Sequence, residues 1–164
     1  MEKKYILSSS AVAMKLRRMA YEILENNRGE NHIILAGIHD SGSVVASQLQ
    51  SILTEISPIS TQLITISFDK KHPSVIDISN QTDFTDKVII IIDDVTNSGK
   101  TLLYALKPFL EYYPRKIQTL VLVERSHKTY PIHPDYVGLS LSTTLQEHIF
   151  VEVTNNEISG AYLA

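Results

Sequence analysis

The sequence predicts an α/β protein built on a central, mostly parallel twisted sheet flanked by helices. Three observations carry this prediction. Apolar runs too continuous to be half exposed occur at His32–Ile38 (HIILAGI), Val88–Ile92 (VIIII) and Ile117–Val123 (IQTLVLV), the pattern of strands buried on both faces. Segments with helical spacing of apolar residues alternate with these runs, as in a layered α/β domain. The first two runs each end in a short polar turn containing glycine that leads into a helix. At 164 residues the chain is long enough for one domain with a proper core, so residues 1–164 are read as a single domain.

Composition narrows the function classes. A hydrophobic content of 43% with 20% charged residues is that of an ordinary soluble globular protein. The chain has no cysteine, which excludes a disulfide framework, a thiolate metal site and a cysteine nucleophile. No apolar run approaches the length of a membrane span, and the start MEKKYILSSS lacks the apolar region of a signal peptide. The expected location is therefore cytoplasmic, with no membrane partner. A formal net charge of -3 offers no global basic field for nucleic acid, although a local patch remains open.

Taken in order, Ser8–Ser10 can cap a helix running to about Asn27, with Val12, Leu16, Met19, Ala20, Ile23 and Leu24 as its apolar face. Lys15, Arg17 and Arg18 on this helix read as a solvated charged face. After the strand His32–Ile38 comes the turn Ile38–Gly42 and a helix carrying Val44, Val45, Leu49, Ile52 and Leu53. A strand ending in such a turn before a helix is a place for an anion, although Gly37 and Gly42 could serve only tight turning and close packing. Gln62–Phe68 reads as a strand. The polar segment from Asp69 to Asp86 reads as a mobile loop, with Pro73 discouraging regular structure and almost no apolar anchor in Ser79–Asp86. Leu102, Leu103, Leu106, Phe109, Leu110 and Tyr113 form a helical stripe that Pro108 should kink or shorten. Tyr130–Tyr136, with two prolines, reads as an extended connection. Val137–Thr144 reads as a loop and Ile149–Val153 as the last strand. The tail Asn155–Ala164 has a weak pattern.

The organising stretch is Lys87–Thr101 (KVIIIIDDVTNSGKT). Its apolar strand gives way to Asp93 and Asp94, then to the small polar residues Thr96, Asn97, Ser98, Gly99, Lys100 and Thr101 before a helix. In an open α/β sheet, ligands bind beyond the carboxyl ends of such strands. A nucleotide-triphosphatase loop would need glycine where this chain has Asp94, and a carboxylate there repels a wrapped polyphosphate. Two adjacent ionised carboxylates accept hydrogen bonds and so suit a vicinal diol. A diol followed by a phosphate describes ribose 5-phosphate.

This segment resembles the phosphoribosyl pyrophosphate (PRPP) signature of the type I phosphoribosyltransferases: apolar strand, two acids, then a T-x-S/T-G-x-T loop. Two further stretches, RRMAYEILENNRG with the following ILAGI and LVLVERSHKTYPIHPDYVG, are similar to the bifunctional pyrimidine operon regulator/uracil phosphoribosyltransferases (PyrR). The similarity runs from about Ser8 to Val153. It implies a type I phosphoribosyltransferase fold with a small hood, and transfer of ribose 5-phosphate from PRPP to uracil, giving UMP and pyrophosphate. By the same resemblance, Asp93 and Asp94 are the catalytic acids that hold the ribose hydroxyls, directly or through Mg²⁺. Thr96, Asn97, Ser98, Gly99, Lys100 and Thr101 would cradle the 5-phosphate, and Ile38, His39, Asp40, Ser41 and Gly42 would take the pyrophosphate. Val137–Thr144 would form the hood over the base, with Arg125, Val137 and Thr143 as base contacts. His127 is a further possible base-edge contact.

Asn97 stands where the 6-oxopurine enzymes place an aspartate acid/base, and an asparagine cannot ionise. The pyrophosphate turn departs from the family, which generally has basic side chains where this chain has His39, Asp40 and Ser41. Lys70 or Lys71 in the following loop are the cations that could compensate. The resemblance also implies a homodimer or higher homo-oligomer, for which Tyr112, Tyr113 and Tyr130 are the exposed-looking aromatics. Two alternatives to turnover remain: an RNA-binding regulator of pyrimidine genes using Lys15, Arg17, Arg18, His127 and Lys128, or a PRPP-binding sensor.

Overall fold

A computed structural model describes residues 2–69, 72, 75–80, 82–144 and 146–164. Among the described residues, two sheets form. The larger contains six strands: β2 (His32–Ile38), β3 (Ser60–Phe68), β4 (Ile76–Ile78), β5 (Val88–Thr96), β6 (Lys116–Arg125) and β7 (Tyr136–Leu141), in the spatial order β4-β3-β2-β5-β6-β7. All neighbours are parallel except β3 and β4. The smaller is a three-stranded antiparallel sheet in which β9 (Glu157–Leu163) lies between β1 (Lys4–Leu7) and β8 (Ile149–Thr154).

The apolar strands are continuous because both faces are covered. On β5, Val88, Ile90 and Ile92 enter one core with α1 (Ser9–Asn26) and α2 (Ser41–Ile56), whereas Ile89 and Ile91 enter a second core with Leu102, Ala105 and Phe109. The period-two alternation of strand side chains thus divides one isoleucine run between two helical layers. Leu7, Ile149, Ile158, Ala161 and Leu163 join the first core, which seats the small sheet against α1, α2 and β5.

Helix α1 starts at Ser8, whose hydroxyl accepts from the Ala11 amide. Pro108 acts as expected: α3 (Lys100–Leu106) is short and passes into a 3₁₀ turn over Lys107–Phe109. Beyond it the helical stripe fails, since Leu110 and Tyr113 are exposed. Ser79–Asp86 does have an apolar anchor. Phe84 is buried edge-on against Phe109 and Tyr112, at centroid distances of 4.9 and 5.2 Å.

Three further readings are corrected. Val137–Thr144 is not a loop throughout, because Tyr136–Leu141 forms the edge strand β7 in parallel register with β6. Its glycine and serines suit an edge whose Ser140 faces solvent, while the Arg18 guanidinium donates to the Val137 and Gly138 carbonyls at 3.0 Å each. Arg18 is therefore a brace between α1 and the sheet rather than only part of a solvated face. The weakly patterned tail contains β9, and the N-terminal Lys4–Leu7 contains β1. Their alternation is interrupted by register shifts between Tyr5 and Leu7 and between Glu152 and Val153, which hides the period from the sequence.

Candidate active site

The order of the large sheet reverses between β2 and β5. From β2 the chain moves outward through α2 to β3, and from β5 it moves the other way through α3 to β6. The carboxyl ends of these two central strands therefore open a crevice at the switch point. The turns Ile38–Gly42 and Asp93–Thr101, far apart in the chain, meet there.

Their closeness is enforced by Gly42. A Cβ at this position would lie 2.8 Å from the Ile92 carbonyl oxygen, 3.0 Å from the Asp93 Cα and 3.1 Å from the Asp93 Oδ1. Only glycine lets the first turn of α2 sit directly on the end of β5. The Ile38–Gly42 turn is further held by the His39 amide, which donates to the Ile66 carbonyl at 2.8 Å. Its peptide bond between His39 and Asp40 is cis.

Asp93 and Asp94 lie inside the end of β5 rather than after it. Asp93 is only 8% exposed. Its Oδ1 accepts from the Asp94 amide at 2.9 Å, and the Asp94 Oδ1 accepts from the Val95 amide at 2.8 Å. Burial, and then the neighbouring Asp94 carboxylate, push the Asp93 carboxyl well above the usual carboxylate range. A hard cation or donor hydroxyls placed here would relieve that unfavourable charge, so the pair fits an oxygen-seeking ion such as Mg²⁺. Among the described residues no three acidic or histidine side chains converge as a protein-only cage. Mg²⁺ characteristically takes most of its ligands from substrate phosphates and water and only one or two from carboxylates.

Two adjoining hollows fill the crevice. One, of about 280 Å³, is lined by Ile38, His39, Phe68, Asp69, Asp93, Lys100, Thr101 and Tyr104. The other, of about 190 Å³, is lined by residues 95–101. Phe68 and Tyr104 were missed by sequence reasoning. Tyr104 had a signal, since it follows Lys100 by four residues on one helix face, with the Lys100 Nζ 5.9 Å from its ring centroid. Phe68 lies two residues beyond the Ile38–Ile66 pair of β2 and β3, a placement set by strand register. The side chains of His39 and Asp40 are exposed, Asp40 at 88%, with the His39 Nδ1 3.7 Å from the Asp40 Oδ1. Lys70 and Lys71 lie outside the described residues.

The three expected base contacts do not line either hollow. Arg125 ends β6 and turns toward the segment after β7, its Nη1 donating to the Thr144 carbonyl at 3.3 Å and its Nη2 to the Glu147 carbonyl at 2.6 Å. Its buried Nε and the buried Thr143 Oγ1 have no hydrogen-bond partner among the described residues. Val137 lies within β7, its carbonyl taken by Arg18. His127 is exposed. Of the cations offered for RNA, Arg17 pairs with Glu55 at 3.2 Å, Arg18 with Glu22, and Lys128 with Glu124 at 2.7 Å.

A buried Asp93 beside a half-buried Asp94, a hollow on the next turn and a second turn across a switch point thus meet at one crevice. The family comparison agrees with that architecture: residues 3–156 match the phosphoribosyl transferase domain, and the chain belongs to that family. Its curated relatives include the bifunctional protein PyrR of Staphylococcus aureus, 37% identical over 161 residues, and that of Macrococcus caseolyticus, 32% identical over 160, each alignment covering 92% of both chains. Among solved structures, a hypoxanthine-guanine phosphoribosyltransferase of Bacillus anthracis superposes with a TM-score of 0.79 at 17% identity, covering 99% of each chain. The fold is that of the type I phosphoribosyltransferases.

Proposed function

We propose that this phosphoribosyltransferase moves ribose 5-phosphate from PRPP to uracil, giving UMP and pyrophosphate. The observation that carries the proposal is the continuity of β5, its polar turn and α3. Along this one segment the buried Asp93 and half-buried Asp94 adjoin a hollow lined by residues 95–101, in the diol-then-phosphate order of ribose 5-phosphate.

In the reaction the C1–O bond of PRPP breaks, pyrophosphate leaves with the electron pair, and uracil N1 bonds to C1 and loses its proton. The sugar passes through an oxocarbenium-like state, so positioning and charge matter more than a nucleophile. Asp93 and Asp94 accept the ribose hydroxyls and set negative charge beside the developing cation. Residues 96–101 hold the 5-phosphate, and residues 38–42 receive the pyrophosphate. Asp93 and Asp94 would hold Mg²⁺, directly or through water, and the ion would neutralise phosphate charge there. Uracil is favoured over a purine because Asn97 cannot act as an acid/base and because the relatives are PyrR proteins.

One observation favours a second reading, a PRPP-binding sensor with little turnover. Asp40 puts a negative charge in the pyrophosphate turn. In contact at 4 Å it would cost about 4 kcal/mol at a protein surface, but about 1 kcal/mol when solvated. At 88% exposure the lower figure applies, which supports the enzyme reading over the sensor. An RNA-regulator role finds less support, since Arg17, Arg18 and Lys128 are already paired with carboxylates.

The test is pyrophosphate release from PRPP and Mg²⁺ with uracil, orotate, hypoxanthine, guanine, adenine or xanthine. Turnover with uracil alone is expected. Turnover with a purine would overturn the argument from Asn97, and PRPP binding without turnover would move the protein to the sensor class.

A further inference from the structure

The phosphate turn is braced from behind by a segment outside the PRPP signature. Backbone amides of Thr129 and Tyr130 both donate to the Ser98 carbonyl at 3.0 Å. At Gly99, which has φ +86°, a Cβ would lie 2.7 Å from the Ile132 Cγ2 and 3.7 Å from the Lys128 Cδ. Residues 128–132 are thus the back wall of the turn. At its other end, Thr96 is paired in parallel register with Glu124 on β6. Both ends of the turn therefore rest on residues 124–132.

What fixes this wall is an ion pair between Glu124 near the end of β6 and Lys128 in the irregular segment beyond it. β6 ends at Arg125, and Ser126 and His127 carry the chain through an exposed bend. The Lys128 Nζ then returns to the Glu124 carboxylate at 2.7 Å and to the Arg125 carbonyl at 3.4 Å. The Lys128 side chain is 4% exposed and that of Glu124 17%. Such a pair is not a surface ornament: removing one partner strands the other charge in a desolvated place. It also closes the bend that aims the Thr129 and Tyr130 amides at Ser98.

We propose that Glu124 and Lys128 are positioning residues, acting together through residues 129–130 to hold the phosphate turn in its binding shape. The idea rests on the 5-phosphate reading of residues 96–101. It assigns Lys128 no direct contact with the phosphate, and it explains why a lysine beside an anion site is committed to a glutamate.

The experiment is calorimetric titration of ribose 5-phosphate into the full chain and into Glu124→Gln, Lys128→Met, the double variant and Lys128→Arg, with circular dichroism to verify folding. Each single neutralising change is expected to weaken binding about tenfold, the scale of a sub-ångström misplacement. The double variant should bind no worse than the weaker single, and Lys128→Arg should recover most of the affinity. Loss in Lys128→Met with Glu124→Gln unaffected would mean that Lys128 meets the phosphate itself, which overturns the proposal. Losses that multiply in the double variant, or unchanged binding throughout, also overturn it. If Lys128→Met does not fold, Glu124→Gln and Lys128→Arg decide the matter by the same criteria. Failure of the native chain to bind ribose 5-phosphate would instead reject the phosphate-turn reading beneath it.

Discussion

Replacing Gly42 by alanine tests whether the two turns of the site depend on one close approach. Helix propensity alone argues that the change should stabilise the chain, by up to about 1 kcal/mol for a glycine in a helix interior. Gly42 is the second residue of α2, however, where less of that gain applies. Against it stands an added methyl 2.8 Å from the Ile92 carbonyl oxygen and 3.0 Å from the Asp93 Cα. Comfortable contact between such atoms is about 3.5 Å, so α2 and β5 must part by roughly half an ångström. Both obstacles are backbone and cannot rotate away. Overpacking of this kind costs about 1–3 kcal/mol, so the clash wins and the variant should lose about 1–2 kcal/mol net. The same displacement moves Asp93 at the edge of the roughly 0.5 Å tolerance of a functional site. Urea unfolding gives the stability, and calorimetry with PRPP and Mg²⁺ gives the affinity, expected to fall about tenfold. A Gly42→Ala protein as stable as the parent, binding PRPP equally well, would refute the claim that this glycine wedges the helix onto the acid pair.

Further consequences concern single side chains. Asp93→Asn should abolish PRPP binding while stabilising the ligand-free protein at neutral pH, because an amide carries no buried charge. The sign follows from linkage: the folded carboxyl is raised above its ordinary 3.8, so the native state binds the proton more tightly and the parent loses stability as pH rises through that window. The gain of the variant should therefore vanish near pH 3.8 and below, which urea midpoints across pH will show. Asp40→Lys should tighten pyrophosphate binding, by about fivefold if removing the repulsion alone is worth about 1 kcal/mol, and unchanged affinity at low salt would place the pyrophosphate elsewhere. Phe84→Ala, which empties a buried aromatic cluster beneath residues 79–86, should cost about 3–5 kcal/mol in denaturant unfolding.

The central strands, and the acid pair that ends the middle one, were legible in the sequence. Continuous apolar runs such as Val88–Ile92 have few alternatives to burial on both faces, and an acid pair followed by T-N-S-G-K-T is a local pattern whose chemistry is carried by adjacent residues. Pro108 likewise acted where it stands. What tertiary structure decided were the relations that no window of sequence contains. The antiparallel sheet of β1, β8 and β9 joins the two ends of the chain, and its register shifts break the alternation that would have revealed it. Strand β7 forms because β6 offers an edge and Arg18 covers its carbonyls, against the turn-like composition of Gly138 and Ser140. Phe84 looked unanchored because its partners, Phe109 and Tyr112, lie on the far side of β5 in the chain. The acids were legible; the burial of Asp93 was not. Asp93 is poised as it is because Gly42, some fifty residues earlier, brings a helix against its backbone. Propensity and spacing act over a few residues, whereas desolvation and close approach depend on segments that only folding brings together.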